Sequence, residues 1–161
     1  MKTKQTKTNE EQVELDETDR RILLEFRTNC RRSYRELSGA IGISPAGLIE
    51  RVKRLEKSGV IKAHVSSLDF LKIGYEFMGV VDIRIESGHL LEAQEKISKL
   101  RGVYAVYDVT GDHDSLALVL CKSRNELSAL IKKILSIPHV QRTNTSIVLN
   151  VVKDPFEFRE I

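Results

Sequence analysis

Two serine-initiated helix starts flank a single Gly-Ile turn in the run RRSYRELSGAIGISPAGLIERVKRLEKSG, and this punctuation constrains the fold more than any other feature. Ser33 followed three residues later by Glu36 is a capping box, in which each side chain satisfies a backbone N–H that the first turn leaves unpaired. Ser44 then caps a further helix whose first position is Pro45, where a missing N–H costs nothing. Tyr34, Leu37 and Ile41 mark one face of the first segment, and Leu48, Val52 and Leu55 one face of the second. Gly42-Ile43 is short enough for a tight turn, and Ile43 stands where a hydrophobic staple to Leu48 belongs. Gly59 ends the helix. Upstream, Asp16 caps a helix with Asp19 in its first turn, and Ile22, Leu23 and Phe26 form its apolar face. The polar run Arg27–Arg32 closes it, with Asn29 suited to a left-handed exit. Val60–Ser66 alternates apolar and polar residues, which predicts a strand. Three short helices and a strand over 15–66 predict a winged helix-turn-helix domain.

A different rhythm begins beyond a connector at 67–74. Strand patterns at Glu76–Ile85, Val103–Thr110, Ser115–Cys121 and Val140–Val152 alternate with helical ones at His89–Leu100 and around Leu127, Leu130, Ile131, Ile134 and Leu135. Gly111–Asp114 joins the two middle strands as a hairpin turn, and Pro138 stops the second helix. The β-α-β-β-α-β order over 75–152 predicts a ferredoxin-like unit, so the whole chain is α+β. Both helices cover one sheet face, and stacking two uncovered faces in a homodimer is the natural cover for the other. Residues 1–14 read as a flexible basic and polar arm, and 153–161 as a C-terminal tail.

Charge separates the two units. Residues 1–66 hold 14 basic and 10 acidic side chains, whereas 67–161 hold 12 and 13. Within 31–62 the count is 8 to 3, which assigns an anionic partner to this unit alone. No run is long and apolar enough for a membrane span, and the polar N-terminus lacks a secretory h-region. Cys30 and Cys121 stand far apart with no CxxC, as two reduced thiols of a cytoplasmic protein would.

With Leu48 at the centre of the buried face, Ala46, Glu50, Lys53, Arg54 and Lys57 point outward and Gly47 and Arg51 lie at the edge. A helix entering the major groove needs small or polar residues at its N-terminus, here Ser44, Ala46 and Gly47, and cations where phosphates run. Arg31 and Arg32, before the preceding helix, are placed to meet the DNA backbone. Glu50 either accepts from a cytosine amino group or repels phosphate from wrong registers.

The segments LDETDRRIL, RRSYRELSGAIGIS and ERVKRLEKSGVIK together resemble the DNA-binding half of the Lrp/AsnC family, the feast/famine regulators of bacteria and archaea. VTGDHD and TNTSIVL resemble its amino-acid-sensing half, the RAM domain, so the likeness runs from about Leu15 to Val152. The resemblance implies a sequence-specific regulator that binds double-stranded DNA. It further implies dimers stacked through their RAM sheets that assemble to tetramers or octamers, with an amino-acid effector bound between RAM domains. It places effector contacts at Gly111, Asp112 and Asp114 of the hairpin and at Thr143 and Thr145. The residue types agree: the two threonines face one way on a strand, turn amides suit a carboxylate, and the acids suit an ammonium or guanidinium group. Hairpin chemistry alone would also favour GDHD, and strands favour Thr. The sequence departs from the family pattern at three positions. The family usually has Thr or another polar residue where Gly47 stands, Gly where Cys30 stands, and an aromatic or large apolar residue where Ser115 stands.

Two alternatives come with the same resemblance: an architectural protein that wraps DNA, and an enzyme like the sirohaem decarboxylases. The candidate acids and bases for an enzyme, His64, His89, His113 and His139, are scattered, and none has an orienting partner at motif spacing. Asp112-His113-Asp114 has metal-ligand types, but adjacent residues alternate sides and rarely reach one ion. The expectation is therefore a non-enzymatic regulator without metal or cofactor, apart from an amino-acid effector.

Overall fold

The structure, a computed structural model, describes residues 12–158 and 160. The arm expected at 1–14 lies outside the described residues as far as residue 11. The chain divides into two compact units, one running to Ser67 and including the segment from Lys153, the other Leu68–Val152.

The first unit is built from α1 (Glu17–Asn29), α2 (Tyr34–Ile41) and α3 (Pro45–Lys57). Each begins on the expected cap. Asp16 accepts from the Asp19 N–H at 2.8 Å and Ser44 Oγ from the Gly47 N–H at 3.1 Å, while Ser33 and Glu36 close their capping box. Gly42 ends α2 at φ +83°, a conformation a side chain disfavours, and its N–H returns to the Ser38 carbonyl at 2.9 Å. Ile22, Leu37, Ile41, Leu48, Val52 and Leu55 make a closed core, and Phe26, Ile43 and Val60 pack on its rim.

Local expectation failed at three places. Asn29 does not exit left-handed; its side chain accepts from the Arg31 N–H at 3.0 Å, and Cys30 caps α1 in a right-handed conformation. Val60–Ser66 forms no strand. Its alternation is real, but every ladder among the described residues belongs to the other unit, so this segment has no strand partner among them. The final strand stops at Ile147 rather than Val152. Its neighbour begins at Phe77, and the Val148 N–H to the Met78 carbonyl, 2.9 Å, is the last bond before that neighbour runs out.

The second unit has β1 (Phe77–Ile85), α4 (Leu90–Ser98), β2 (Val103–Asp108), β3 (Ser115–Cys121), α5 (Arg124–Leu135) and β4 (Val140–Ile147). The antiparallel order β2-β3-β1-β4 is the expected split βαβ arrangement. Val81, Ile83, Ile85, Ala117 and Val119 turn to α4 and α5, where Ala93, Ile97, Leu127, Leu130 and Ile134 complete the core. Val80, Leu116 and Leu118 alternate onto the opposite face and are only half-buried. Phe70, in the turn that precedes β1, meets Tyr75 and Tyr104 edge-on at 5.9 and 5.5 Å. The 3-10 turn Pro155–Glu157 belongs to the first unit, where the Arg27 guanidinium donates to the carbonyls of Pro155 at 3.1 Å and Phe158 at 2.9 Å.

Candidate functional site

The solvent face of α3 begins with Ala46 and continues through Glu50, Lys53 and Lys57, all exposed. None of these has a side-chain hydrogen bond or ion pair among the described residues. The buried stripe of Leu48, Val52 and Leu55 fixes this orientation, because rotating the helix would expose all three. Ser44 spends its hydroxyl on the Gly47 N–H, and a side chain at Gly47 would stand 3.2 Å from that oxygen.

The arginines lie where the helix phase puts them, Arg54 exposed and Arg51 half-buried at the edge, but both are engaged: Arg54 pairs with Asp19 of α1, and Arg51 reaches Asp16 at 2.6 Å and Asp19 at 2.9 Å. Asp19 is fully buried, so its carboxylate is held by two guanidiniums where water does not reach it. The pairing with Arg51, followed by the Asp19 N–H, holds the Asp16 carboxyl below its ordinary value, and the carboxylates of Asp16 and Asp19 in turn raise Arg51. These arginines brace α3 against the start of α1. Arg32 likewise pairs with Glu25, whereas Arg31 is exposed and its side chain has no partner among the described residues. The sequence carried a signal for the brace: two acids three apart at the start of α1 face two arginines three apart on α3.

In the second unit the hairpin is pinned to β1. Asp114 donates its N–H to the Ile83 carbonyl at 3.1 Å and accepts from the Ile85 N–H on its carboxylate at 2.8 Å. Arg84 lies 3.7 Å from that carboxylate and donates to the Asp112 carbonyl. Asp112 and Gly111 are exposed at the tip, Gly111 at φ +124°. Ser115 is buried, donating to the Tyr107 carbonyl at 2.8 Å and accepting from Gln94 at 3.3 Å. Thr143 and Thr145 are half-buried and pair with Ile83 and Val81, so they share the helix-covered face. Hairpin and threonines therefore flank β1 on opposite sides, roughly 10 Å apart at two strand spacings. One chain brings them to the two sides of β1. The cleft of about 710 Å³ lies elsewhere, between the end of α1 and residues 60–67.

The histidines are less scattered than their sequence positions suggest. His64 lies 3.1 Å from Glu56 and edge-on to Phe26. His89 and His139 stack with ring centroids 3.5 Å apart, and His139 Nδ1 is 2.8 Å from Glu86. These two histidines do have a partner, which sequence spacing hides because Glu86 and His139 are 53 residues apart.

Comparison with known proteins bears on both units. Residues 15–62 match the winged helix-turn-helix DNA-binding family, and residues 79–158 match the Lrp/AsnC ligand binding domain. An HTH-type transcriptional regulator of Pyrococcus horikoshii is 35% identical over 89% of this chain and 97% of its own length. The HTH-type transcriptional regulator FL11 of Pyrococcus abyssi is 32% identical over 90% and 96%. Among solved structures, E. coli AsnC superposes with a TM-score of 0.82 at 30% identity, covering 88% of this chain and 97% of AsnC. A transcriptional regulator of Neisseria meningitidis, solved as a complex with L-Met, gives 0.81 at 26% identity over 88% and 94%.

Proposed function

The chain belongs to the Lrp/AsnC family of DNA-binding transcriptional regulators, and from that premise we propose how its residues divide the work. The N-terminal turn of α3, with Ala46 and Gly47, approaches base edges in the major groove, and Lys53, Lys57 and Arg31 neutralise phosphates beside it. Glu50 faces the same groove. Arg51, Arg54 and Arg32 act on DNA through position, by fixing the helices that carry the contacts. The observation that carries this reading is an exposed face with Lys53 and Lys57, neither paired among the described residues, on a helix that is capped at its N-terminus and braced against α1.

Two copies present two such helices to successive major grooves of a pseudo-palindromic site. The half-covered sheet face with Val80, Leu116 and Leu118 is the surface that supports pairing of copies, and larger homo-oligomers follow from further contacts. An amino acid is the effector: the second unit matches a ligand binding domain, and the Neisseria relative was solved with L-Met. Asp112, the Gly111 backbone, Thr143 and Thr145 contact it, with Asp114 holding the hairpin in place. The two groups stand on opposite sides of β1, roughly 10 Å apart, and a neighbouring copy completes the pocket between them. The effector then shifts the balance between assemblies, and DNA shifts effector affinity by the same factor. The protein acts by binding, needs no cofactor and works in the cytoplasm; no helix among the described residues is long and apolar enough to cross a membrane.

Fluorescence anisotropy with a duplex from the protein's own promoter, against an unrelated competitor, tests the reading. Binding that survives the competitor and weakens steeply with salt is expected. Equal affinity for both duplexes would favour the architectural, DNA-wrapping role.

A further inference from the structure

Glu86 follows the last residue of β1, His89 immediately precedes α4, and His139 lies between α5 and β4. One ligand atom from each lies within 4.8 Å of the other two. Backbone bonds lock the three together: the Glu86 N–H donates to the His139 carbonyl at 2.9 Å and the His89 N–H to the Glu86 carbonyl at 3.2 Å. Two local anomalies coincide here. His139 is the only non-glycine residue with positive φ, +72°, among the described residues, a conformation that side chains avoid unless the surroundings hold it. His89 occupies the N-cap of α4 without any capping hydrogen bond, at φ −114° and ψ 8°, whereas Asp16, Ser33, Ser44 and Ser123 cap their helices as short polar residues do. Helix capping therefore does not explain His89, and His139 adopts a conformation that few non-glycine residues take.

We propose that Glu86, His89 and His139 form a divalent transition-metal site of the zinc type, with water in the remaining position. Two imidazole nitrogens and one carboxylate oxygen are a donor set that zinc accepts, and imidazole selects late first-row ions over magnesium or calcium. Bonds of about 2.0–2.1 Å need donors roughly 3.4 Å apart, and rotation of these three partly exposed side chains closes the remaining gap. The Glu86 carboxyl is held below its ordinary value chiefly by the hydrogen bond with His139. Glu92 Oε2, 3.9 Å from His89 Nδ1, adds a second carboxylate beside the cluster. The site adjoins the hairpin anchor, because Ile85, next to Glu86, donates its N–H to Asp114.

The test uses the full chain, stripped with chelator, carrying Cys30→Ser to remove the exposed thiol. Titration with Zn²⁺ by calorimetry is expected to give one ion per chain, and Co²⁺ to give visible d–d bands without a thiolate charge-transfer band. His139→Gly removes the imidazole while suiting the positive φ, so it folds and weakens binding roughly tenfold or more. His89→Ala and Glu86→Gln should weaken it likewise, with unchanged far-UV circular dichroism. No saturable binding by the parent protein, or unchanged affinity in His139→Gly, overturns the proposal.

Discussion

Asp19 joins two helices through a single carboxylate. It is fully buried, it completes the capping box of α1, and it receives both Arg51 and Arg54 of α3. Asp19→Asn keeps the shape and removes the charge. Its expected cost is ~1–3 kcal/mol by denaturant melts, below that of a fully buried pair because both guanidiniums reach solvent. Asp16 and Glu36 have carboxyls held below their ordinary values, Asp16 by Arg51 and Glu36 by the Ser33 backbone N–H. Unfolded, both titrate at ordinary values, so their stabilisation is complete above those values and is lost as pH falls through the lower folded ones. Thermal melts should therefore be flat from neutral pH to about pH 5 and decline below about pH 4; a melting temperature that rises on acidification contradicts this. The thiols differ as well. Cys30 is exposed, while Cys121 is buried and its thiol is pushed up by desolvation. A thiol reagent should label Cys30 in the native protein and Cys121 only on unfolding; equal labelling rates would place Cys121 at the surface. At this scale the caps were legible from sequence because a cap bonds within its own turn. The Asp19 brace left only an indirect sign, two acids and two arginines each three residues apart, because Asp19 and Arg54 are 35 residues apart.

At the scale of elements, α3 keeps its orientation through Leu48, Val52 and Leu55. Leu48→Ala should cost ~2–5 kcal/mol and abolish DNA binding through loss of the unit, which loss of helical circular dichroism would report. The helices were readable because their periodicity and punctuation are local. Strands were readable only where a partner existed. Val60–Ser66 has the alternation of a strand and no ladder, and Val148–Val152 outruns the end of β1. The hairpin GDHD was legible as a turn. That Asp114 binds the Ile85 N–H was hidden, because the turn residue and the strand residue are 29 positions apart. Thr145→Val keeps shape and strand propensity while removing a hydroxyl. It should weaken the response to an amino acid with little effect on melting, followed by anisotropy with and without the effector; an undiminished response would remove Thr145 from the pocket.

For the whole molecule, uneven charge divides the labour: the basic excess of 31–62 lies in the unit that matches a DNA-binding family, and the balanced remainder in the unit that matches a ligand binding domain. The order of elements was enough to place both units, while which cations face solvent required the fold. The central claim is that the Lys53 face of α3 meets phosphate, with Arg54 as a brace behind it. The most direct measurement is the slope of log affinity against log salt for the promoter duplex, taken for the parent protein, Lys53→Ala and Arg54→Ala, with melting curves alongside. The account predicts that Lys53→Ala lowers the slope by about 0.9 with an unchanged melting temperature, and that Arg54→Ala lowers the melting temperature and leaves the slope intact. A parental slope in Lys53→Ala, or a slope lost in Arg54→Ala without a change in melting, would contradict it.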